Sequence, residues 1–121
     1  MGITESMLGR WWAVVDGVAE GEPAELLADS VQFSLTYAGR TRTGGRAELL
    51  AYVAERVSAG RRHHIRLASI AGSVEIVAGE LLEHGAPIAT FVGTAECDAA
   101  GRMTRYLITS SPDIRLSLPA P

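Results

Sequence analysis

His63, Glu80 and Tyr106 are the side chains in this sequence whose types and surroundings suit proton chemistry. Alternation groups His63 with Ile65 and Leu67 and sets His64 with Arg66. A strand there is expected to turn His63 toward an apolar interior. Histidine titrates near neutrality, which suits acid–base work in a dehydration, isomerisation or ring closure. The plainer alternative is a histidine hydrogen-bonded at a strand end. Glu80 falls in step with Val74, Ile76, Ala78 and Leu82, so an inward carboxyl is expected unless a bulge shifts the register and leaves it solvated. Tyr106 shares its parity with Ile108 and Ser110, and Tyr37 and Tyr52 are further phenols able to orient a ligand oxygen or to pack in a core.

Two reactive-looking features read as inert. Cys97 stands between Glu96 and Asp98, whose negative field opposes a thiolate. Arg61-Arg62-His63-His64 brings two histidines together, but neighbours on a strand point to opposite faces and a zinc site wants three or more ligands. No metal and no cofactor is expected. Arg40, Arg42 and Arg46 are expected to form a solvated rim.

The elements that must hold these residues follow from hydrophobic period. Leu8, Trp11, Trp12, Val15 and Val18 recur at helical spacing, with Thr4 or Ser6 as cap and Gly17 or Gly21 as stop. Pro23 opens a second, short helix through Leu27. Val31, Phe33, Leu35 and Tyr37 then alternate with polar partners, a strand with one buried face, followed after Gly39 by a short strand over 40–42. Thr43 caps a third helix running to about Ser58, with Gly60 beyond it. Strands are expected over 63–70, 74–83, 88–97 and 103–110, joined by tight turns. Early helices followed by hairpins predict an α+β fold, with helices gathered on one face of an antiparallel sheet. Turns this short exclude βαβ crossovers.

With 121 residues the chain fits one domain, expected over 1–111, with a proline-containing tail over 112–121. Its composition, 47% apolar and 21% charged, is that of a globular protein with one core. A net charge of -3 argues against nucleic-acid or anionic-membrane partners, which need a cationic surface. No apolar run approaches a membrane span, and residues 1–10 lack the pattern of a secretory signal, so a cytoplasmic protein is expected.

The order and spacing of Arg10-Trp11-Trp12-Ala13-Val14-Val15-Asp16, Leu27-Ala28-Asp29-Ser30-Val31, Thr43-Gly44 and the hairpin Asp98-Ala99-Ala100-Gly101-Arg102-Met103 resemble the nuclear transport factor 2-like superfamily. The likeness is to its ketosteroid isomerases and SnoaL-like polyketide cyclases. It implies a cone-shaped (cystatin-like) α+β barrel, its curved sheet wrapped around three N-terminal helices, often dimeric through the outer sheet face. The ketosteroid isomerase residues do not carry over. The catalytic aspartate of the first strand corresponds to Leu35, the helix-one tyrosine to Trp11, and the protonated aspartate to the neighbourhood of Gly93. That tuned carboxyl pair is a known example of environment setting acid–base roles. Neither leucine nor glycine can move a proton, and tryptophan only donates. The Asp-Arg-Asp arrangement of limonene epoxide hydrolases has no counterpart either. Scytalone dehydratase-like relatives place a histidine where this chain has His63-His64, and the family's strand parity turns Tyr106 inward.

The expected pocket is apolar and aromatic, walled by Trp11, Trp12, Val15, Phe33, Leu35, Tyr37, Tyr52, Ala89, Phe91, Gly93 and Ile108. Such walls suit flat polyketide-, steroid- or terpenoid-like molecules. The expectation is a cofactor-free enzyme with His63, Tyr106 and Glu80 as catalytic candidates. The alternative is a binding or dimerising module that kept the cone and lost its catalysts.

Overall fold

The computed structural model describes residues 6–55 and 60–120. The chain runs α1 (Met7–Val15), a 3-10 turn (Pro23–Leu26), β1 (Leu27–Tyr37), β2 (Arg40–Gly44), α2 (Arg46–Glu55), β3 (Arg61–Ala71), β4 (Val74–Glu83), β5 (Ala86–Cys97) and β6 (Met103–Ser111). The strands form one curved sheet in the order β2-β1-β6-β5-β4-β3.

The sheet is mixed, which corrects the expected all-antiparallel arrangement. β1 and β6 lie parallel, with Phe33 opposite Tyr106 and Leu35 opposite Ile108. Short turns exclude parallel neighbours that follow one another in sequence. They do not constrain the first strand and the last, which meet only when the sheet closes.

Among the described residues two α-helices form instead of three. The proline-led segment is a four-residue 3-10 turn, because Leu27 is already recruited into the ladder opposite Met103. Thr43 does not cap α2: it extends β2, paired with Ser34. Glu48 does the capping, its Oε1 accepting from the Gly45 amide at 2.9 Å. The expected end near Ser58 lies outside the described residues.

The nine-residue α1 is tied at both ends. Ser6 Oγ accepts from the Gly9 amide at 2.8 Å, as capping predicts; Thr4 lies outside the described residues. The Met7 and Leu8 amides donate to the two carboxylate oxygens of Glu75 on β4, at 3.0 and 2.9 Å. A carboxylate there meets unpaired amides and the positive end of the helix dipole together. The helix ends at Asp16 rather than running on to Val18, which is exposed. Leu8, Trp11 and Trp12 are all but fully buried against Phe33, Val77, Phe91, Ala95, Tyr106 and Ile108.

On β4 the inward face is Glu75, Val77, Gly79 and Leu81, the opposite parity from that expected. Hydrophobicity misleads because the outer face is itself apolar, with Ile76 half exposed. The inner face carries a carboxylate claimed by α1 and a glycine forced by crowding. A Cβ on Gly79 would run into the His64 carbonyl oxygen and the Phe91 ring. On β3 the pairing shifts between Ile65 and Leu67, so His63 and Ile65 face inward but Leu67 faces out, 52% exposed.

Candidate functional site

The inner sheet face, α1 and α2 enclose a cavity of about 240 Å³. Trp11, Val15, Leu35, Tyr37, Tyr52 and Ile108 line it, with His63 and Tyr106. The expected wall residues Phe33, Ala89, Phe91 and Gly93 are buried but do not line it. The closed end of the cone is filled by side chains. Trp12 Cη2 would sit 3.3 Å from a Cβ on Gly93, so the indole occupies the room a longer residue would need. Arg46 also lies away from the cavity, donating to the Ala24 carbonyl.

His63 is held on three sides. Its ring stacks on Trp12 with centroids 4.4 Å apart and planes within 3°, and Phe91 meets it edge-on at 5.3 Å. Asp16, the C-cap of α1, accepts from the His63 backbone amide at 2.7 Å. The same carboxylate lies 3.1 Å from His63 Nδ1 through Oδ2 and 3.3 Å through Oδ1. The Asp16 side chain is 2% exposed and that of His63 10%. A carboxylate beside Nδ1 fixes the proton on that nitrogen and steadies the imidazolium when it forms.

Trp12 connects this pair to Tyr106. Its Nε1 donates to the phenol oxygen at 2.9 Å, in a buried contact. Tyr106, Trp12, His63 and Asp16 thus form a continuous set of rings and polar contacts along one wall. His63 and Asp16 also border a separate hollow of about 330 Å³ with Arg62 and His64.

Glu80 takes no part. It lies on the outer sheet face, ion-paired with Arg66, whose Nε also donates to the Pro119 carbonyl of the tail. The cause is the parity of β4. Sequence reasoning missed Asp16 and Glu75. Asp16 reads as one more polar residue on α1, and no spacing ties it to a strand in the second half of the chain. Cys97 is half-buried outside the cavity. Burial pushes its thiol pKa up, Glu75 and Asp98 push the same way, and Arg10 opposes them.

Among the described residues, no helix is long and apolar enough to cross a membrane. No protein-family model and no curated protein matches the sequence. Solved structures do match in shape. A candidate ketosteroid isomerase from Kribbella flavida aligns with a TM-score of 0.64 at 20% identity, over 98% of this chain and 82% of that one. A candidate polyketide cyclase from Sinorhizobium meliloti aligns at 0.62 and 17% identity, over 85% and 93%. A candidate isomerase of the SnoaL-like family from Agrobacterium tumefaciens gives 0.62 at 12%, over 86% and 93%. The chain has the α+β cone fold of nuclear transport factor 2-like proteins.

Proposed function

We propose that this protein is a cofactor-free acid–base enzyme that isomerises, cyclises or dehydrates an apolar ring compound. The observation that carries the reading is the Asp16–His63 pair beside the cavity. A base needs a partner that fixes its tautomer, and a buried carboxylate on Nδ1 supplies one. His63 Nε2 takes a proton from carbon next to a carbonyl, and the electron pair moves onto the carbonyl oxygen. Tyr106, its oxygen already accepting from Trp12, donates to that oxygen; acceptance on one side strengthens donation on the other. The proton returns from His63 to another carbon in an isomerisation, or to a departing hydroxyl in a dehydration.

The cavity volume narrows the ligand. An apolar cavity of about 150 Å³ holds one benzene ring, so about 240 Å³ suits one or two rings rather than a four-ring steroid held whole.

The test is deuterium exchange from D₂O into the carbons flanking the carbonyl of a bicyclic ketone such as 2-tetralone, followed by NMR. Exchange above buffer that drops about 100-fold in His63→Gln supports the reading, since general base catalysis is worth at least that. A second reading, a binding module without catalysis, is favoured by Leu35 and Gly93 standing where the ketosteroid isomerase likeness would put carboxyls. Calorimetric binding of the ketone with no exchange would favour it. On either reading we propose a homodimer, formed through the outer sheet face.

A further inference from the structure

The mouth of the cavity is cationic in a chain whose net charge is -3. Arg40 and Arg42 come from the edge strand β2, paired opposite Tyr37 and Leu35. Arg61 comes from β3, the other edge of the same curved sheet. All three line the one cavity, and among the described residues no carboxylate lines it. Arg42 lies 3.3 Å from Glu55 with both side chains mostly exposed, and Arg61 lies 3.4 Å from Glu83. Arg40 has no carboxylate partner among the described residues. Among the described residues, three guanidiniums against two glutamates leave one positive charge uncompensated at the mouth. The exposed Arg42–Glu55 pair is worth little, so a ligand can displace its glutamate while Arg42 stays over the Tyr52 ring; the Arg61–Glu83 pair is half-buried and leaves Arg61 still lining the cavity.

We infer that the ligand is a carboxylic acid: a one- or two-ring apolar body inside the cavity and a carboxylate at its mouth, held by Arg40 with Arg61 and Arg42. This rests on the proposed cavity function and names its substrate class. A guanidinium fork matches a carboxylate in bidentate geometry. A single uncompensated charge matches a monoanion better than a phosphate dianion. The placement also orients the substrate. Arg61 and His63 share a face of β3 two residues apart, roughly 7 Å along the strand. A carboxylate on Arg61 therefore sets the carbon reached by His63 a few bonds away from the acid group.

Isothermal titration of the wild-type protein with 2-naphthoate, 2-naphthamide and 2-naphthyl phosphate tests this without any turnover. The acid is expected to bind at least 10-fold more tightly than the amide of the same shape. That preference should shrink as salt is raised, since the rim is exposed, and fall to about 2-fold or less in the Arg40→Gln/Arg61→Gln double variant. Equal binding of acid and amide overturns the carboxylate assignment and leaves the cavity reading standing. Tighter binding of the phosphate overturns the choice of anion. A preference that survives in the double variant overturns the arginines' role. No binding of any of the three overturns this inference and the cavity reading together.

Discussion

The carboxylate of Asp16 lies 3.1 Å from Nδ1 of His63 while also accepting from the His63 backbone amide. The C-terminus of α1 and the start of β3 are thereby pinned by one side chain. The contact both positions the imidazole and sets its tautomer. The stacking of Trp12 on the same ring removes the remaining rotational freedom.

Replacing Asp16 with asparagine separates those two roles. The amide keeps an oxygen for the backbone N–H but can present its NH₂ to Nδ1, which drives the proton to Nε2 and blocks that nitrogen as a base. Turnover, or deuterium exchange into a bound ketone, is expected to fall about 100-fold or more. Ligand affinity should change by less than about 3-fold, because the anion-holding arginines lie elsewhere. Unaltered exchange in Asp16→Asn would remove the pair from the mechanism.

Glu75 supports the same site from a distance. Its carboxylate receives both the Met7 and Leu8 amides and is 4% exposed as a residue. Glu75→Ala leaves two buried N–H groups without partners at a helix start. The loss is expected to be about 2–4 kcal/mol from charge-assisted hydrogen bonds and unmet donors. Urea unfolding measures it. A loss under about 0.5 kcal/mol would mean that water replaces the carboxylate at no cost.

Much of this architecture was legible in the sequence, and each exception has a physical cause. Alternation in Val31, Phe33 and Leu35 set the inward face of β1 correctly, because the positions between them, Gln32 and Ser34, are polar. On β4 both faces carry apolar residues, so periodicity had no contrast to work with and Glu80 was placed inside while Glu75 was missed. His63 was found because its inward neighbour Ile65 is apolar. Its partner Asp16 was not, since that contact spans 47 positions and depends on where a helix ends. The sheet closure between β1 and β6 is equally non-local.

Cys97 gives a prediction with a definite sign. Burial, Glu75 and Asp98 all hold its thiol pKa above the ordinary value, so at a given pH less thiolate is present than in an unfolded chain. Alkylation by iodoacetamide at pH 8 should be slower in the native protein than in urea, and its pH midpoint should lie higher. The linkage has the same sign. The unfolded thiol ionises first as pH rises, so this group's contribution to stability is full below the unfolded pKa and is lost through the folded one. Equal native and denatured rates across pH 7–10 would contradict the raised pKa.

The outer sheet face is where a second copy is expected to dock. Ile76 and Leu107 lie in one row across the strands, at either side of Thr94, and Leu67 and Val92 in the next, at either side of Ala78. The four large side chains are 46–52% exposed. Ion pairs stand beyond both ends of the patch, Arg66 with Glu80 and Arg105 with Glu96, which leaves the centre free of charge. A patch with an apolar centre and a charged border is self-complementary under a two-fold axis. Val92→Arg puts a cation at its middle, opposite its own copy or close to it, where burial without a counter-charge is costly. Sedimentation at micromolar concentration is expected to show a dimer for the wild type and a folded monomer for Val92→Arg. A wild-type monomer, or a variant that still dimerises, would mean that this face does not pair two copies.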